Sequence, residues 1–188
     1  MKKLIVTSTD DKFAAGCAIL LYSLKKNMSI FNECDVKVFY TKLTEQNKQM
    51  IKSICPKAIF ETPEDFNYCK GIKTLYGEDN QDTYLCLESF KQAEYDKVAY
   101  IDTDMLCIND ASGVFSQNFD YDMMACIGSK PLNVKEAYYK NGISKFNAGF
   151  MIIGKKHLED SRTYNDLINI VEKAKNRKSN NQYRIMHK

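Results

Sequence analysis

Short β-branched runs and segments of helical period take turns along the whole chain, and this alternation limits the fold more than any other feature. Lys3–Thr7 (K-L-I-V-T) predicts a first strand. Residues 14–26 predict a helix with Ala14, Ala18, Leu21, Tyr22 and Leu24 on its inner side. Asp35–Thr41 (D-V-K-V-F-Y-T) predicts a second strand, after which Thr44 has the place of an N-cap for a polar helix reaching Ile54 and stopped by Pro56. Ala58–Glu61 predicts a short third strand. The stretch from Thr62 to Asn80, with Pro63, Gly71 and Gly77, predicts a long loop. Asp82 is placed to cap a helix to Tyr95, with Leu85, Cys86, Ser89, Phe90 and Ala93 on one side. Lys97–Ile101 (K-V-A-Y-I), Met123–Ile127 and the part of Phe146–Gly154 after a glycine turn predict three more strands, and Tyr164 to Ala174 a last helix. Strands that alternate with helices pack as a mainly parallel sheet flanked by helices, so the expected class is α/β.

One such sheet accounts for all 188 residues, which hold no internal repeat, linker or low-complexity segment, so residues 1–188 read as one domain. Against 24 Asp and Glu stand 27 Lys and Arg, a net charge of +3 with the signs interspersed, and no basic stripe points to nucleic acid. The apolar runs fall far short of the roughly 18 residues of a membrane span. Lys2 and Lys3 precede only Leu4, Ile5 and Val6, so neither a transmembrane segment nor a signal peptide is expected. The seven cysteines are odd in number, scattered, and never in a C-x-x-C pair, which argues against a disulfide framework or structural zinc. Cys17, Cys86, Cys107 and Cys126 stand in apolar settings and read as small core residues. A reducing cytoplasm is the expected location.

In open α/β sheets ligands bind beyond the carboxyl ends of the strands. Two segments meet that rule: Thr7-Ser8-Thr9-Asp10-Asp11 after the first strand, and Asp102-Thr103-Asp104 after K-V-A-Y-I. Strand side chains alternate with period two, so Asp102 and Asp104 can point the same way and share a hard divalent cation that completes its shell with water and phosphate oxygens. In the alternative, Asp102 serves a turn and Asp104 is solvated. Asp120-Tyr121-Asp122 repeats the D-x-D spacing but precedes an apolar strand, at the wrong end. Phe146-Asn147-Ala148-Gly149 is the third feature, since a glycine turn before a buried strand lets a substrate approach the backbone. Asn147 offers both a donor and an acceptor there, though an Asn also serves simply to stabilise a turn.

Taken in order, V-T-S-T-D-D-K-F-A-A-G, D-K-V-A-Y-I-D-T-D-M-L and F-N-A-G-F-M-I-I-G resemble the family-8 glycosyltransferases, the glycogenin and lipopolysaccharide galactosyltransferase group. The resemblance spans about residues 3–154, with a fainter echo to 188. It implies the GT-A fold, a UDP-sugar donor, Mn²⁺ (or Mg²⁺) as cofactor, and transfer with retention. It places Thr7 and Thr9 in the nucleotide-binding segment, Asp10 where the family often has Asn, and Phe13 where it often has Tyr near the uracil. Without the family, Phe13 reads as a core aromatic. The resemblance makes Asp102 and Asp104 the metal ligands, sets Asp102 and Thr103 beside the donor's ribose or sugar, and gives Asn147 and Ala148 contacts to the sugar. Asn180-Asn181-Gln182 is similar to the family's D-Q pair, so Asn181 and Gln182 join Asp102 as catalytic candidates.

Three positions depart from the family's pattern. Cys86 stands where a Lys or Arg would neutralise the diphosphate. Asn181 replaces an Asp, and an amide cannot act as a carboxylate nucleophile. Neither His157 nor His187 matches the family's later metal-binding His, and its Lys-containing segment has no room in 188 residues, which implies a truncated, minimal or degenerate chain. The expected activity is metal-dependent transfer of a hexose from a UDP-sugar to a glycan or other hydroxyl acceptor. The rivals are a nucleotide-sugar-binding module without turnover, an inverting GT-A enzyme, and a nucleotidyltransferase.

Overall fold

Alternating apolar side chains build six strands, β1 (Lys3–Thr9), β2 (Cys34–Tyr40), β3 (Ile59–Glu61), β4 (Lys97–Ile101), β5 (Met123–Ile127) and β6 (Phe146–Gly154). They form one sheet in the order β3-β2-β1-β4-β6-β5. The computed structural model from which this is taken describes residues 1–70, 78–116, 122–127 and 146–175. β1 pairs in parallel with both β2 and β4, and β2 with β3, while β6 runs antiparallel to β4 and β5. The sheet is therefore mainly parallel, as the alternation predicts, with β6 the one reversed strand. From β1 the chain winds outward through β2 and β3, then returns to place β4 on the other side of β1. That reversal opens a crevice at the carboxyl ends of β1 and β4.

Each strand feeds two cores because its side chains alternate. Ile5, Val36, Val38, Ala99, Ile101 and Ile152 pack under helix α1 (Ala14–Asn27), whose Leu20 and Leu21 are buried, and near helix α2 (Glu45–Ile54). A short α3 (Gly113–Ser116) adds Phe115 to the same cluster. On the other face, Leu4, Val6, Val98, Tyr100, Met151 and Ile153 meet a long 3-10 helix, Glu78–Lys91, and helices α4 (Lys155–Glu159) and α5 (Ser161–Lys175). Each fully buried aliphatic side chain contributes about 1.5–3 kcal/mol. Among the described residues, no helix is long and apolar enough to cross a membrane.

Several local expectations change once the chain is packed. β1 runs on to Thr9, two residues past its predicted end. The predicted helix from Asp82 to Tyr95 is the 3-10 helix Glu78–Lys91, so Asp82 lies inside it and does not cap it. Tyr84 to Phe90 are all buried there, which hides the one-sided pattern, while Ala93 is exposed. The predicted loop from Thr62 contains a 3-10 turn at Asn67–Cys69, and its residues 71–77 lie outside the described residues. Tyr22, expected on the inner side of α1, is 54% exposed. Thr44 does cap α2, its hydroxyl accepting from the Asn47 N–H at 3.4 Å. Cys17 and Cys86 are buried as expected, whereas Cys107 is only half-buried and Cys126 exposed; Cys34, Cys55 and Cys69 are buried instead.

Candidate functional site

Three segments far apart in sequence meet at the carboxyl ends of β1 and β4. Register brings two of them together: Val6 pairs with Tyr100, so Ser8 and Asp102, each two residues further on, emerge level. Strand direction brings the third. Because β6 runs antiparallel, its first residues lie where β4 ends, and the Asp102 N–H donates to the Gly149 carbonyl at 2.8 Å. F-N-A-G is therefore not a turn ahead of a strand, as expected, but the opening of β6 itself. The pairing of β6 with β5 slips at this point: Ala125 pairs with Met151 and Cys126 with Asn147. Such a bulge bends the strand and re-aims its side chains. Asn147 is exposed beside the crevice, and Ala148 faces the second core.

Around Asp102 the packing is close and polar. The buried Tyr100 hydroxyl donates to Asp102 Oδ1 at 2.8 Å, and Ser8 Oγ lies 2.8 Å from the Tyr100 oxygen. Asp102 Oδ2 points at Gly149, where a Cβ would sit only 2.6 Å from it and 3.0 Å from Asn147 Oδ1. Asn147 Oδ1 is itself held by the Gly149 N–H at 2.7 Å. Only a residue without a side chain lets the carboxylate approach this strand. A second glycine does the same on the other side, since a Cβ on Gly16 of α1 would lie 2.9 Å from the Thr103 carbonyl oxygen. The D-T-D segment is thus held between α1 and β6.

Beyond Ile101 the chain leaves the sheet, and Asp102-Thr103-Asp104 forms a turn in which the Met105 N–H donates to the Asp102 carbonyl at 3.2 Å. Strand alternation therefore does not orient Asp104, which is exposed. The two carboxylates are nonetheless neighbours. Burial pushes the Asp102 carboxyl above its ordinary value, the Tyr100 hydrogen bond pulls it back, and the charge of Asp104 pushes it up again. Two mutually repelling carboxylates with only oxygen donors fit a hard divalent cation whose remaining positions are filled by water and phosphate oxygens. They are not a complete cage, because among the described residues no third His, Cys, Asp or Glu joins them.

The segment after β1 splits between support and display. Thr7 and Thr9 are buried, and the Thr7 hydroxyl has no hydrogen-bond partner among the described residues. Thr9 Oγ1 donates to the Asp10 carbonyl at 3.2 Å. Asp10 Oδ1 accepts from the Phe13 N–H at 2.9 Å where α1 begins. Phe13 is 53% exposed, so it is not the core aromatic that its type alone suggests. Asp11 fastens the loop to α2, accepting from the Thr44 N–H, the Thr44 hydroxyl and Asn47 Nδ2; these bonds hold its carboxyl below the usual range.

The 3-10 helix supplies Asp82, which the sequence did not place here, and Cys86, which the resemblance did. Both Asp82 oxygens accept from the Thr41 hydroxyl, and burial together with the nearby Asp10 pushes the Asp82 carboxyl up. Cys86 lies beside Asp102, where the resemblance implies a Lys or Arg. Burial first, and then the Asp102 charge, push its thiol up to about 12, so the group is neutral at physiological pH. Ser8 and Tyr100 also went unassigned. Tyr100 was findable, since it stands on the predicted strand two residues before Asp102, on the face that alternation gives a residue just past the strand end. Ser8 and Asp82 carried no such signal.

The remaining candidates lie elsewhere. Asp122 stands at the amino end of β5 and pairs with Lys156, which agrees with the wrong-end reading of the second D-x-D; Asp120 lies outside the described residues. His157 contacts Thr163 at 3.2 Å, between α4 and α5. Asn181, Gln182 and His187 lie outside the described residues.

Comparison with known proteins agrees with this layout. The model of the family described as glycosyl transferase family 8 matches residues 4–184. None of the curated proteins compared with the chain matches it in sequence. Among solved structures, an active-site mutant of LgtC is similar with a TM-score of 0.72 at 21% identity, covering 97% of this chain and 68% of that one. The galactosyltransferase LgtC with donor and acceptor sugar analogues gives 0.70 at 21%, over 92% and 65%. Core-mannan synthase A from Aspergillus fumigatus, in an Mn/GDP form, gives 0.64 at 10%, over 93% and 66%. The chain thus spans about two thirds of the length of these neighbours. The six-stranded α/β domain has the GT-A fold.

Proposed function

The chain belongs to glycosyl transferase family 8, and we propose that it moves a hexose from UDP-hexose to a hydroxyl of a glycan acceptor, with retention and with Mn²⁺ or Mg²⁺ as cofactor. The observation that carries this reading is the meeting of D-T-D with F-N-A-G at the β1–β4 crevice. The named contents of two neighbours support it: LgtC with donor and acceptor sugar analogues, and core-mannan synthase A with Mn and GDP. Asp102 and Asp104 would hold the cation, which when bound supplies positive charge to the diphosphate as it leaves. Phe13 offers an exposed ring to the uracil. Asn147 stands exposed at the mouth, able to hydrogen-bond a sugar hydroxyl. Asn181 and Gln182 remain the catalytic candidates alongside Asp102. Residues 1–188 act as one nucleotide-sugar-binding domain, and seven cysteines without a disulfide favour the cytoplasm.

Cys86 favours a second reading, a module that binds the donor with little turnover, because a buried neutral thiol beside Asp102 cannot neutralise a diphosphate. A thermal-shift panel of nucleotide sugars, with and without Mn²⁺, tests the binding that both readings share, since a ligand of the native state raises the melting temperature. The expected result is a rise with UDP-sugar plus Mn²⁺ that Asp104→Ala abolishes. No rise with any nucleotide sugar overturns both readings. Release of UDP from a radiolabelled donor, measured on the same protein, then separates transferase from module.

A further inference from the structure

Two features place the Asp102 carboxylate before any ligand arrives. Its Oδ1 takes the Tyr100 hydroxyl at 2.8 Å, and that hydroxyl is backed by Ser8 at 2.8 Å. Its Oδ2 lies over Gly149, in space that any side chain would fill. Tyr100 is fixed in turn, because its ring is buried in the core cluster that contains Leu4, Val6, Val98, Met151 and Ile153. Since Tyr100 donates to the carboxylate, its oxygen is free to accept from Ser8, and the three groups form one directed chain from β1 across to β4.

We propose that Tyr100, backed by Ser8, is a positioning residue that fixes the orientation in which the Asp102 carboxylate meets the cation. This rests on the metal-dependent reading of the site given above. A flexible, unheld carboxylate can present two oxygens, which suits large cations with many ligands such as Ca²⁺. A carboxylate held in one orientation suits the smaller cations that demand strict geometry. The pair Ser8–Tyr100 therefore tunes which cation is taken, without touching it. Gly149 makes the arrangement possible by leaving room for Oδ2.

Calorimetric titration of Mn²⁺ and Ca²⁺ in the presence of UDP, on wild type, Tyr100→Phe, Ser8→Ala and Ser8→Thr, tests this. Tyr100→Phe keeps the buried ring and removes only the hydroxyl. It is expected to weaken Mn²⁺ by about tenfold, as loss of a partner behind a ligand does, and to narrow the preference for Mn²⁺ over Ca²⁺. Ser8→Ala should act in the same direction by about threefold, the size of one neutral hydrogen bond, and Ser8→Thr should restore the wild-type values. Should Tyr100→Phe fail to fold, the two Ser8 variants carry the test. Cation affinities within twofold of wild type overturn the inference, as does equal weakening of Mn²⁺ and Ca²⁺ with a large fall in melting temperature, which marks a merely structural role. Wild type that binds UDP equally well with and without a cation overturns the metal reading itself, and the inference with it.

Discussion

Two carboxylates on the same side of the sheet each hold a tyrosine hydroxyl, yet they are finished differently. Glu88, 3% exposed in the 3-10 helix, accepts from Tyr68 at 3.0 Å and from Tyr164 at 2.8 Å, and pairs with Lys91 at 3.4 Å. Its charge is surrounded by donors, and it ties the Asn67–Cys69 turn and α5 to the middle of the molecule. Among the described residues, Asp102 has one tyrosine donor, and it feels the charge of Asp104 and lies near the neutral Cys86 thiol. One carboxylate is closed by its own protein, and the other is left incomplete. The fold tolerates the incomplete one at the crevice, where a ligand can finish the set, and completes the one in the interior, where water cannot.

Glu88→Ala should break the closed side. The Tyr164 hydroxyl loses its acceptor, the Tyr68 hydroxyl keeps only the Tyr84 carbonyl at 3.3 Å, and a cavity is left, so a loss of about 3 kcal/mol in unfolding free energy is expected by urea titration. UDP affinity of the folded fraction should stay within twofold of wild type. Gly149→Ala should do the reverse. Its Cβ would meet Asp102 Oδ2 at 2.6 Å, so the carboxylate must move, at a cost of about 1–2 kcal/mol in stability. Mn²⁺-dependent UDP binding should then disappear by calorimetry, and a Gly149→Ala protein that binds like wild type would separate β6 from the site.

Phe13→Ala sharpens the contrast on the open side. Its ring is largely exposed, so the melting temperature should hardly change while UDP affinity falls by about 1–3 kcal/mol if the ring stacks on the base. A loss confined to stability would remove Phe13 from the crevice. The smallest effect belongs to Thr7→Val. The Thr7 hydroxyl is buried without a hydrogen bond among the described residues, so an isosteric methyl should leave stability unchanged or raise it by up to about 1 kcal/mol. A clear loss of UDP affinity in Thr7→Val at unchanged stability would mean that the hydroxyl waits for the nucleotide.

Much of this site was written in the sequence. K-V-A-Y-I predicts β4 with the bounds it has, because β-branched and aromatic residues in a short run carry their own strand preference. A strand ending on Asp102-Thr103-Asp104, with a second segment ending on Thr9 and Asp10, sets both carboxylate groups at one end of a parallel sheet before any pairing is known. Thr44 was legible as a cap because capping acts over three residues. The tertiary structure alone decided the rest. Composition marks Cys107 and Cys126 as apolar, but only packing leaves them outside the core and draws Cys34, Cys55 and Cys69 in. The 3-10 winding of Glu78–Lys91 was not legible, because the unbroken burial of Tyr84 to Phe90 erases the one-face pattern that helical periodicity needs. Above all, the setting of Asp102 depends on Ser8, Tyr100 and Gly149 coming together across a sequence separation of up to 141 residues, from Ser8 to Gly149. Local sequence sets which face a side chain takes; the register and direction of neighbouring strands, fixed by the packing of two whole cores, set what it faces.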